Sequence, residues 1–445
     1  MLDVKTKIAL AAVILTGGWI SLTGCVGMGN SAHAAERPQV TVIEDRIGVE
    51  RRSIADYVEL GLATNPLISE AHFKVVASRH RIPQQQSLPD PMVNTNTFLS
   101  PVQTAAGEQR FSLGVSQKLT NSKRRRTKAA IAAAEVATAE ADLQRLQLEV
   151  AEKIRIACFQ LLFVQKAAEI TGEDIESLRQ ISAIIQTQYE VKQSVTQQDV
   201  LNAETEISRV QNQLTVLLQK EKSYSARLAR LVHLPPHIDV EISDLLTPLA
   251  TQYSLSELTE RAIQFRPELS GQLANIRRDR HKICLANLQK KPDFTVGLNW
   301  ISTSSSGLSP VANGEDAVLL GIGFNLPIHR RKIAAAIGEA KATTLASSSR
   351  YDSLQDQVGE EVFDLIARAE SSQATLEMMQ QDIIPNASRS LELSIEEYVN
   401  GDIKYVQLID NWRALLRYRI AEAQMIAEGN QIAASLARSV GGFTP

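Results

Sequence analysis

The sequence predicts a mainly helical protein with a small β part, in which one structural unit is used twice. The clearest sign is a pair of similar stretches in the 445-residue chain: YEVKQSVTQQDVLNAETEISRV begins at Tyr189, and YVNGDIKYVQLIDNWRALLRYR begins at Tyr398. Short segments with period-2 alternation and a long proline-free run of helical periodicity support the same fold class. Because an internal repeat overrides an estimate of domain number from length, we expect two matched units.

The first residues have the pattern of an export signal. Lys5 and Lys7 precede an apolar run that ends in small residues, which is typical of a secretory signal rather than a spanning helix. The run ends in Leu22-Thr23-Gly24-Cys25, which resembles a lipobox. We therefore expect residues 1–24 to be a lipoprotein signal peptide and Cys25 to be the site of lipid attachment, palmitate included.

A competing cleavage site ends at Ala34, within the A-x-A triplet that begins at Ala32. We favour cleavage before Cys25, because this cysteine directly follows the apolar run. Val26 is not the aspartate that usually retains bacterial lipoproteins in the inner membrane. The lipobox resemblance thus implies sorting to the outer membrane, with residues 25–51 as an N-terminal periplasmic segment.

Composition argues against a nucleic-acid partner and against further spanning helices. The net charge is −3 and the pI is near 6.2, which gives no basic footprint for nucleic acid. After the N-terminal run, no apolar stretch reaches the ~20 residues that a spanning helix needs. If this protein crosses a membrane, it must do so as strands.

Each half is expected to run helix, strand, loop, strand, very long helix, break and helix. The first repeat covers residues 52–235 and the second covers residues 236–445, with a proline-rich linker over about 234–251. The matched positions are Pro66 with Pro267, Pro89-Asp90 with Pro292-Asp293, Gly114 with Gly321, and Leu119 with Leu326.

The predicted strands have one apolar face and one polar, glycine-rich face. The second strand places Phe111, Leu113, Val115 and Leu119 opposite Ser112, Gly114, Ser116 and Lys118. This pattern is typical of transmembrane barrel strands, although an ordinary half-buried sheet also shows it. Four strands cannot close a barrel and would leave edges exposed, whereas three chains would supply twelve.

The segment from about Lys123 to Tyr189 contains no proline and would span roughly 100 Å as a helix. Its apolar residues form a narrow seam of the coiled-coil type, with a counterpart in the second repeat. The two seams are Leu143, Leu146, Val150, Ile154, Ala157, Leu161 and Val164, and Tyr351, Leu354, Val358, Val362, Leu365 and Ala369. A stripe this long and narrow can be buried along its length only against other long helices.

Catalytic and cofactor sites have no support in the sequence. The seven histidines are scattered, and His233 and His237 lie in a proline turn without the geometry of a metal site. There is no Walker loop, dinucleotide fingerprint or nucleophile elbow, so we expect neither an enzyme nor a bound cofactor or metal. Cys158 and Cys284 fall in helical patterns, where buried free thiols are favoured over a single disulfide.

The repeat, LPDPMV, VSQKLTNSKRRR and the two tyrosine-led stretches together resemble the TolC family of outer-membrane efflux channels, in particular its heavy-metal-efflux branch. The resemblance covers nearly the whole mature chain. It implies a homotrimer, with a twelve-strand β-barrel in the outer membrane of a Gram-negative bacterium and an α-helical barrel through the periplasm. It also implies a passive conduit for ions or small molecules, docked to a periplasmic adaptor (membrane fusion protein) and an inner-membrane pump of the RND or ABC type.

The same resemblance places the two tyrosine-led stretches at the periplasmic tips. Residues implied to dock the adaptor are Lys192, Gln193, Ser194, Gly401 and Asp402. Tyr398 and Asp410 match two members of the family's gate, which also has an arginine and another aspartate. Here Ile403 and Gln407 occupy those two positions, so the gate network is at most partial.

Two basic clusters precede the long helices. Positive charge at a helix N-terminus opposes the helix dipole, so another interaction should favour it. In the implied trimer the clusters would lie just below the barrel, beside anionic lipid headgroups. A solvated face is the alternative. The proposed headgroup anchors are Lys123, Arg124, Arg125, Arg330 and Arg331.

Two other functions are compatible with parts of this pattern. A non-conducting periplasmic adaptor or coiled-coil scaffold would also have a lipobox and long helices, but only one helical hairpin flanked by soluble β domains. A channel of the same architecture could instead carry secreted protein in a type I secretion system. The paired strands before each long helix favour the channel over the scaffold.

Overall fold

The computed structural model describes residues 51–191, 195–248, 254–305 and 313–442. Both halves of this part of the chain have the same order of elements, except that a π-helical turn divides the long helix of the second half in two. The first half contains α1 (Ile54–Thr64), α2 (Pro66–Gln86), β1 (Met92–Thr104), β2 (Gly107–Leu119), α3 (Ser122–Val191) and α4 (Gln197–Leu231). The second half contains α5 (Leu255–Phe265), α6 (Pro267–Leu288), β3 (Phe294–Ser304), β4 (Ala317–Phe324), α7 (Arg330–Met378), a π-helical turn (Met379–Ile383), α8 (Ile384–Asn400) and α9 (Tyr405–Ser439).

Local sequence explains how each repeat begins. Ser53 caps α1 in a reciprocal capping box with Asp56. Asn65 then ends α1 and caps α2, and Pro66 occupies the first position of α2, where its missing N–H costs nothing. In the second repeat, Pro267 has the same place at the start of α6.

The four strands form one antiparallel sheet in the order β1-β2-β3-β4. Val115 lies opposite Leu298, which in turn lies opposite Leu320, so apolar side chains continue across the sheet on one face. These three side chains are exposed in the single chain. The predicted alternation is thus present, and β1 and β4 are left as edge strands with one partner each.

The predicted seams are the buried stripes of the long helices. In α3, Val150, Ile154, Ala157, Leu161 and Val164 are buried, while Leu143 and Leu146 pack at the margin of the core. Val358, Val362 and Leu365 are buried in α7. The buried stripe expected on each long helix is present, with Tyr351, Leu354 and Ala369 of the second seam partly buried at the margin of the core.

The segment between the repeats crosses back to the start of the first one. The backbone N–H of Arg52 donates to the carbonyl of Glu241 (3.3 Å), and the N–H of Ser243 donates to the carbonyl of Arg52 (2.9 Å). A short parallel bridge between Arg52 and Ile242 therefore attaches this linker to the segment just before α1.

The two cysteines of the helical region differ in environment. Cys158 is buried and free, as favoured, and burial raises the pKa of its thiol to about 12. Cys284 is also free but exposed, so the expectation of a buried thiol is wrong there.

None of the described helices is long and apolar enough to cross a membrane.

Candidate functional site

Four helix ends meet where α3 is followed by α4 and α8 is followed by α9. The last part of α3, the start of α4, the end of α8 and the start of α9 surround one apolar core. We call it the tip cluster; its buried members are Ile170, Ile175, Leu178, Ile181, Ile185, Ala203, Val210, Leu391, Tyr398, Tyr405, Leu408, Ile409, Trp412, Leu416 and Ala423.

The first break ends in a capping box. Thr196 is the N-cap of α4, and Asp199 accepts hydrogen bonds from the Thr196 backbone N–H (3.0 Å) and hydroxyl (2.8 Å). This arrangement satisfies donors that a helix start leaves free. The predicted docking residues Lys192, Gln193 and Ser194 lie outside the described residues.

The second break depends on a glycine. Gly401 follows α8 in the left-handed region with φ of 92°, which a residue with a Cβ adopts only at a cost. Its N–H and that of Asp402 both donate to the carbonyl of Glu397 (2.9 Å each). Gly401 and Asp402 are exposed at the turn, where a partner protein can reach them.

Tyr398 and Asp410, the two predicted gate residues, have opposite environments. Tyr398 is 5% exposed, and its hydroxyl has no hydrogen-bond partner among the described residues. Burial, with a smaller contribution from the charge of Asp199, raises the pKa of Tyr398 to about 12. The Asp410 side chain is 61% exposed and accepts from Arg413 Nη1 at 3.3 Å. No hydrogen bond joins the two residues in the single chain.

Ile403 and Gln407, which occupy the other two gate positions, also differ. Ile403 packs against the tip cluster, so an apolar contact stands where the resemblance would have placed a charge. Gln407 is exposed on the first turn of α9.

A buried carboxylate that the sequence analysis missed joins the two tips. Glu206 of α4 is only 4% exposed. Arg413 of α9 donates to it from Nε (3.0 Å) and Nη2 (2.7 Å), and Arg209 donates from Nε. The bidentate contact from Arg413 connects α4 of the first repeat with α9 of the second repeat.

Ionisation of Glu206 is set by two opposing effects. Burial alone would raise its pKa, but the hydrogen bonds from Arg413 and Arg209, with their positive charges, outweigh burial and lower the pKa to about 2. A sequence signal for this burial exists: Glu206 lies between Ala203 and Val210 at spacings of three and four, on the stripe of α4 that is buried.

A second charged contact lies farther along the same helices. Arg419 of α9 approaches Asp174 (3.5 Å) and Glu173 (3.6 Å) of α3. Burial raises the pKa of Asp174, and the charge of Arg419 opposes that rise. The tip is therefore held by apolar packing and by arginines of α9 that reach both α3 and α4.

The two basic clusters lie at the other end, next to the sheet. Lys123, Arg330 and Arg331 are exposed. Arg125 donates to the carbonyl of Gln86 at 3.0 Å, which uses one of its donors within the protein.

Arg124 is an internal ion-pair residue rather than a surface charge. Its side chain is 15% exposed, and its Nη1 lies 2.5 Å from a carboxylate oxygen of Asp293. Its Nη2 donates to the carbonyls of Leu288 (2.9 Å) and Lys291 (3.1 Å). Because these contacts occupy the guanidinium, we remove Arg124 from the proposed headgroup contacts. Cys25, the predicted lipid site, lies outside the described residues.

The described residues contain no group of three or more His, Cys, Asp or Glu side chains that could hold a metal ion.

The chain matches a family described as outer membrane efflux protein over residues 58–232 and 258–442. The two matched segments correspond to the two halves of the fold. No curated protein matches the chain.

Solved structures share the fold at low sequence identity. The outer-membrane channel OprN is 19% identical, with a TM-score of 0.74, covering 88% of this chain and 91% of OprN. The outer membrane protein VceC from Vibrio cholerae is 17% identical, with a TM-score of 0.71, covering 88% and 97%. The Campylobacter jejuni CmeC outer membrane channel is 15% identical, with a TM-score of 0.70, covering 88% and 86%.

Proposed function

This chain belongs to the outer membrane efflux protein family, and on that premise we propose that it is the outer-membrane channel of a tripartite efflux system. Three copies form a passive conduit, in which twelve strands cross the outer membrane and the long helices continue through the periplasm. Acylation at Cys25 anchors each copy. A periplasmic adaptor and an inner-membrane pump of the RND or ABC type deliver ions or small molecules.

The observation that carries this proposal is a sheet with an exposed apolar face and two free edges. Leu298, Leu320 and Ile322 lie on that face and are exposed in the single chain. In lipid, every strand edge must be paired, so the sheet needs further copies to close. An adaptor or scaffold that stays in the periplasm would expose this apolar face and both strand edges to water.

Two neighbouring leucines of β4 provide a matched test. Leu320 belongs to the apolar face, whereas Leu319 lies on the opposite face, with Asn299 as its neighbour on β3. Leu320→Arg should cost roughly 2–4 kcal/mol near the midplane of a bilayer, and Leu319→Arg should cost less because it faces the lumen. Equal yields of trimer from outer membranes would contradict this orientation.

Conduction is tested directly in planar bilayers. The purified trimer should insert and give single-channel currents, which a non-conducting scaffold would not do. Expression in a strain deleted for its own channel, with the neighbouring adaptor and pump genes, should restore resistance to the cargo. Restored resistance to heavy-metal ions would support the heavy-metal branch, and restored secretion of a protein would contradict it.

The tip residues give this channel its periplasmic opening and its docking surface. Gly401 and Asp402, with Lys192, Gln193 and Ser194 of the first tip, contact the adaptor in this proposal. Asp410 faces the gate from the surface of α9, and Tyr398 supports the gate from within the tip cluster. The contact between Glu206 and Arg413 adds a link that holds the first tip to the second within one chain.

A further inference from the structure

An ion pair lies beside the sheet where β2 ends and β3 begins, and the matched residues of the repeat do not form the same pair within one chain. Arg124 at the start of α3 pairs with Asp293, just before β3, and both are largely buried. The sequence repeat matches Asp293 with Asp90, which precedes β1, and matches Arg124 with Arg331, at the start of α7. Asp90 and Arg331 are both exposed, and neither has an ion-pair partner within the described part of the chain.

Strand order explains why only one of the two contacts forms. Arg124 follows β2 and Asp293 precedes β3, and these two strands are hydrogen-bonded neighbours. Arg331 follows β4 and Asp90 precedes β1, which lie at opposite edges of the sheet. Within one chain, the two charges cannot meet.

In the proposed trimer, β4 of one copy meets β1 of the next. We propose that Arg331 forms there with Asp90 of the second copy the ion pair that Arg124 forms with Asp293, so that Arg331, like Arg124, is not a headgroup contact. This inference rests on the proposed trimer and adds to it the register and the contact. The interface between copies is then a repetition of the interface between the two halves of one chain.

The repeat also sets the register of the new strand pair. In the chain, Gly114 of β2 lies opposite Asn299 of β3. A Cβ at Gly114 would come within 3.0 Å of the Asn299 amide oxygen, so the glycine makes room for that side chain. Gly321 of β4 and Asn96 of β1 are the matched residues in sequence. We therefore place Gly321 opposite Asn96 of the second copy.

The helices also leave apolar surface uncovered where a second copy would pack. α6 packs against both α3 and α7, whereas α2, its counterpart in the first repeat, packs against α3. α2 exposes Leu67 and Phe73, and α7 exposes Leu345 and Phe363. A second copy placed by the strand pairing would bring its α2 beside α7 and cover part of this apolar surface.

A pair of cysteine substitutions tests the register. We begin from a chain with Cys158→Ser and Cys284→Ser and add Gly321→Cys with Asn96→Cys. Oxidation in outer membranes should convert the monomer band on non-reducing denaturing gels to dimer and trimer bands, and reductant should restore the monomer. The matched pair Gly114→Cys with Asn299→Cys should form its disulfide within one chain and leave the band at monomer size.

The cross-linking pattern and the oligomeric state together distinguish a wrong register from a wrong proposed function. A trimer by light scattering that cross-links through Gly321→Cys with Asn94→Cys, and not with Asn96→Cys, would overturn the register and leave the channel intact. A protein that is monomeric in mild detergent and gives no cross-link would overturn both. Intrachain closure of the Gly321–Asn96 pair would also overturn the proposal.

Charge reversal tests the ion pair separately. Asp90→Arg and Arg331→Asp should each lower the temperature at which the trimer dissociates, and the double variant should recover most of that loss. Two single losses that simply add in the double variant would show that these residues do not meet. Lys332→Asp, a neighbouring exposed charge on α7, serves as the control and should have a smaller effect.

Discussion

The two tips have similar sequences but differ in how they are built. Tyr189 is 41% exposed, whereas its counterpart Tyr398 is 5% exposed within the tip cluster. Asn202 is exposed, while Asn411 donates to the hydroxyl of Ser394 at 2.6 Å. One tip restarts its helix with a side-chain cap, and the other turns on a left-handed glycine. Matched residues therefore fix where the helices break but not which side chains become buried.

The cause of the difference lies in the neighbouring helices. The second tip lies against the long α3, so its tyrosines and Trp412 form the centre of the cluster. The first tip contributes smaller buried side chains, such as Ala203, and the charged group of Glu206. Burial at a repeated position is decided by what the fold places beside it.

The largest expected effect comes from truncating the two tyrosines. Tyr398→Ala removes a buried aromatic ring and should cost about 3 kcal/mol of unfolding free energy. Tyr189→Ala removes a half-exposed ring, so we expect a loss nearer 0.5 kcal/mol. Denaturant unfolding of both variants, followed by tryptophan fluorescence, measures the difference. Similar losses would mean that the tips are more alike than the single chain indicates.

Cutting the link between the tips should have the next largest effect. Glu206→Gln replaces a carboxylate that accepts from Arg413 and Arg209, and should cost about 1.5 kcal/mol at neutral pH. The folded pKa of Glu206 is near 2, below its ordinary 4.5, so this contribution is complete above about pH 4.5 and is lost as pH falls toward 2. Melting temperatures of wild type and variant should therefore converge in acid; a constant gap would contradict the assignment.

Replacing the glycine that follows α8, or the threonine that caps α4, should lower stability by similar, smaller amounts. Gly401→Ala forces a Cβ into a left-handed conformation and should cost about 1 kcal/mol, because no atom crowds the site and only the backbone is strained. Thr196→Ala removes the cap of α4 and should also cost about 1 kcal/mol. Gly401→Asn, which tolerates this conformation better, is the control and should recover part of the loss. Thermal unfolding measures all three.

The smallest effect on stability is expected at Asp410. Its carboxylate is exposed and its ion pair within the described residues is with Arg413 of its own helix, so Asp410→Asn should change stability by less than about 0.5 kcal/mol. Three copies near the pore axis would attract cations, so the variant should lower cation selectivity in bilayer recordings. Asp199→Asn should change selectivity less, because Asp199 is occupied in its capping box. Unchanged selectivity in Asp410→Asn trimers of normal yield would show that this carboxylate faces away from the pore.

Local patterns in the sequence predicted the elements well. The long first helix was expected from about Lys123 to Tyr189, and α3 runs from Ser122 to Val191. The buried seam followed from periodicity alone. The roles of Arg124 and Glu206 did not, because their partners Asp293 and Arg413 are far away in sequence. A charged residue in a polar helix looks solvated until the fold brings its counter-charge to it.

The two edge strands have a consequence for how the protein is made. A lone chain exposes unpaired backbone along β1 and β4, which is a template for incorrect pairing with other chains. In the proposed trimer its correct partners are further copies of itself, so the rate of completion would depend on how many copies meet in the same membrane. Newly made subunits diluted among other proteins would finish slowly and be exposed to proteases for longer. Expression level, and not only sequence, would then set the fraction of chains that mature.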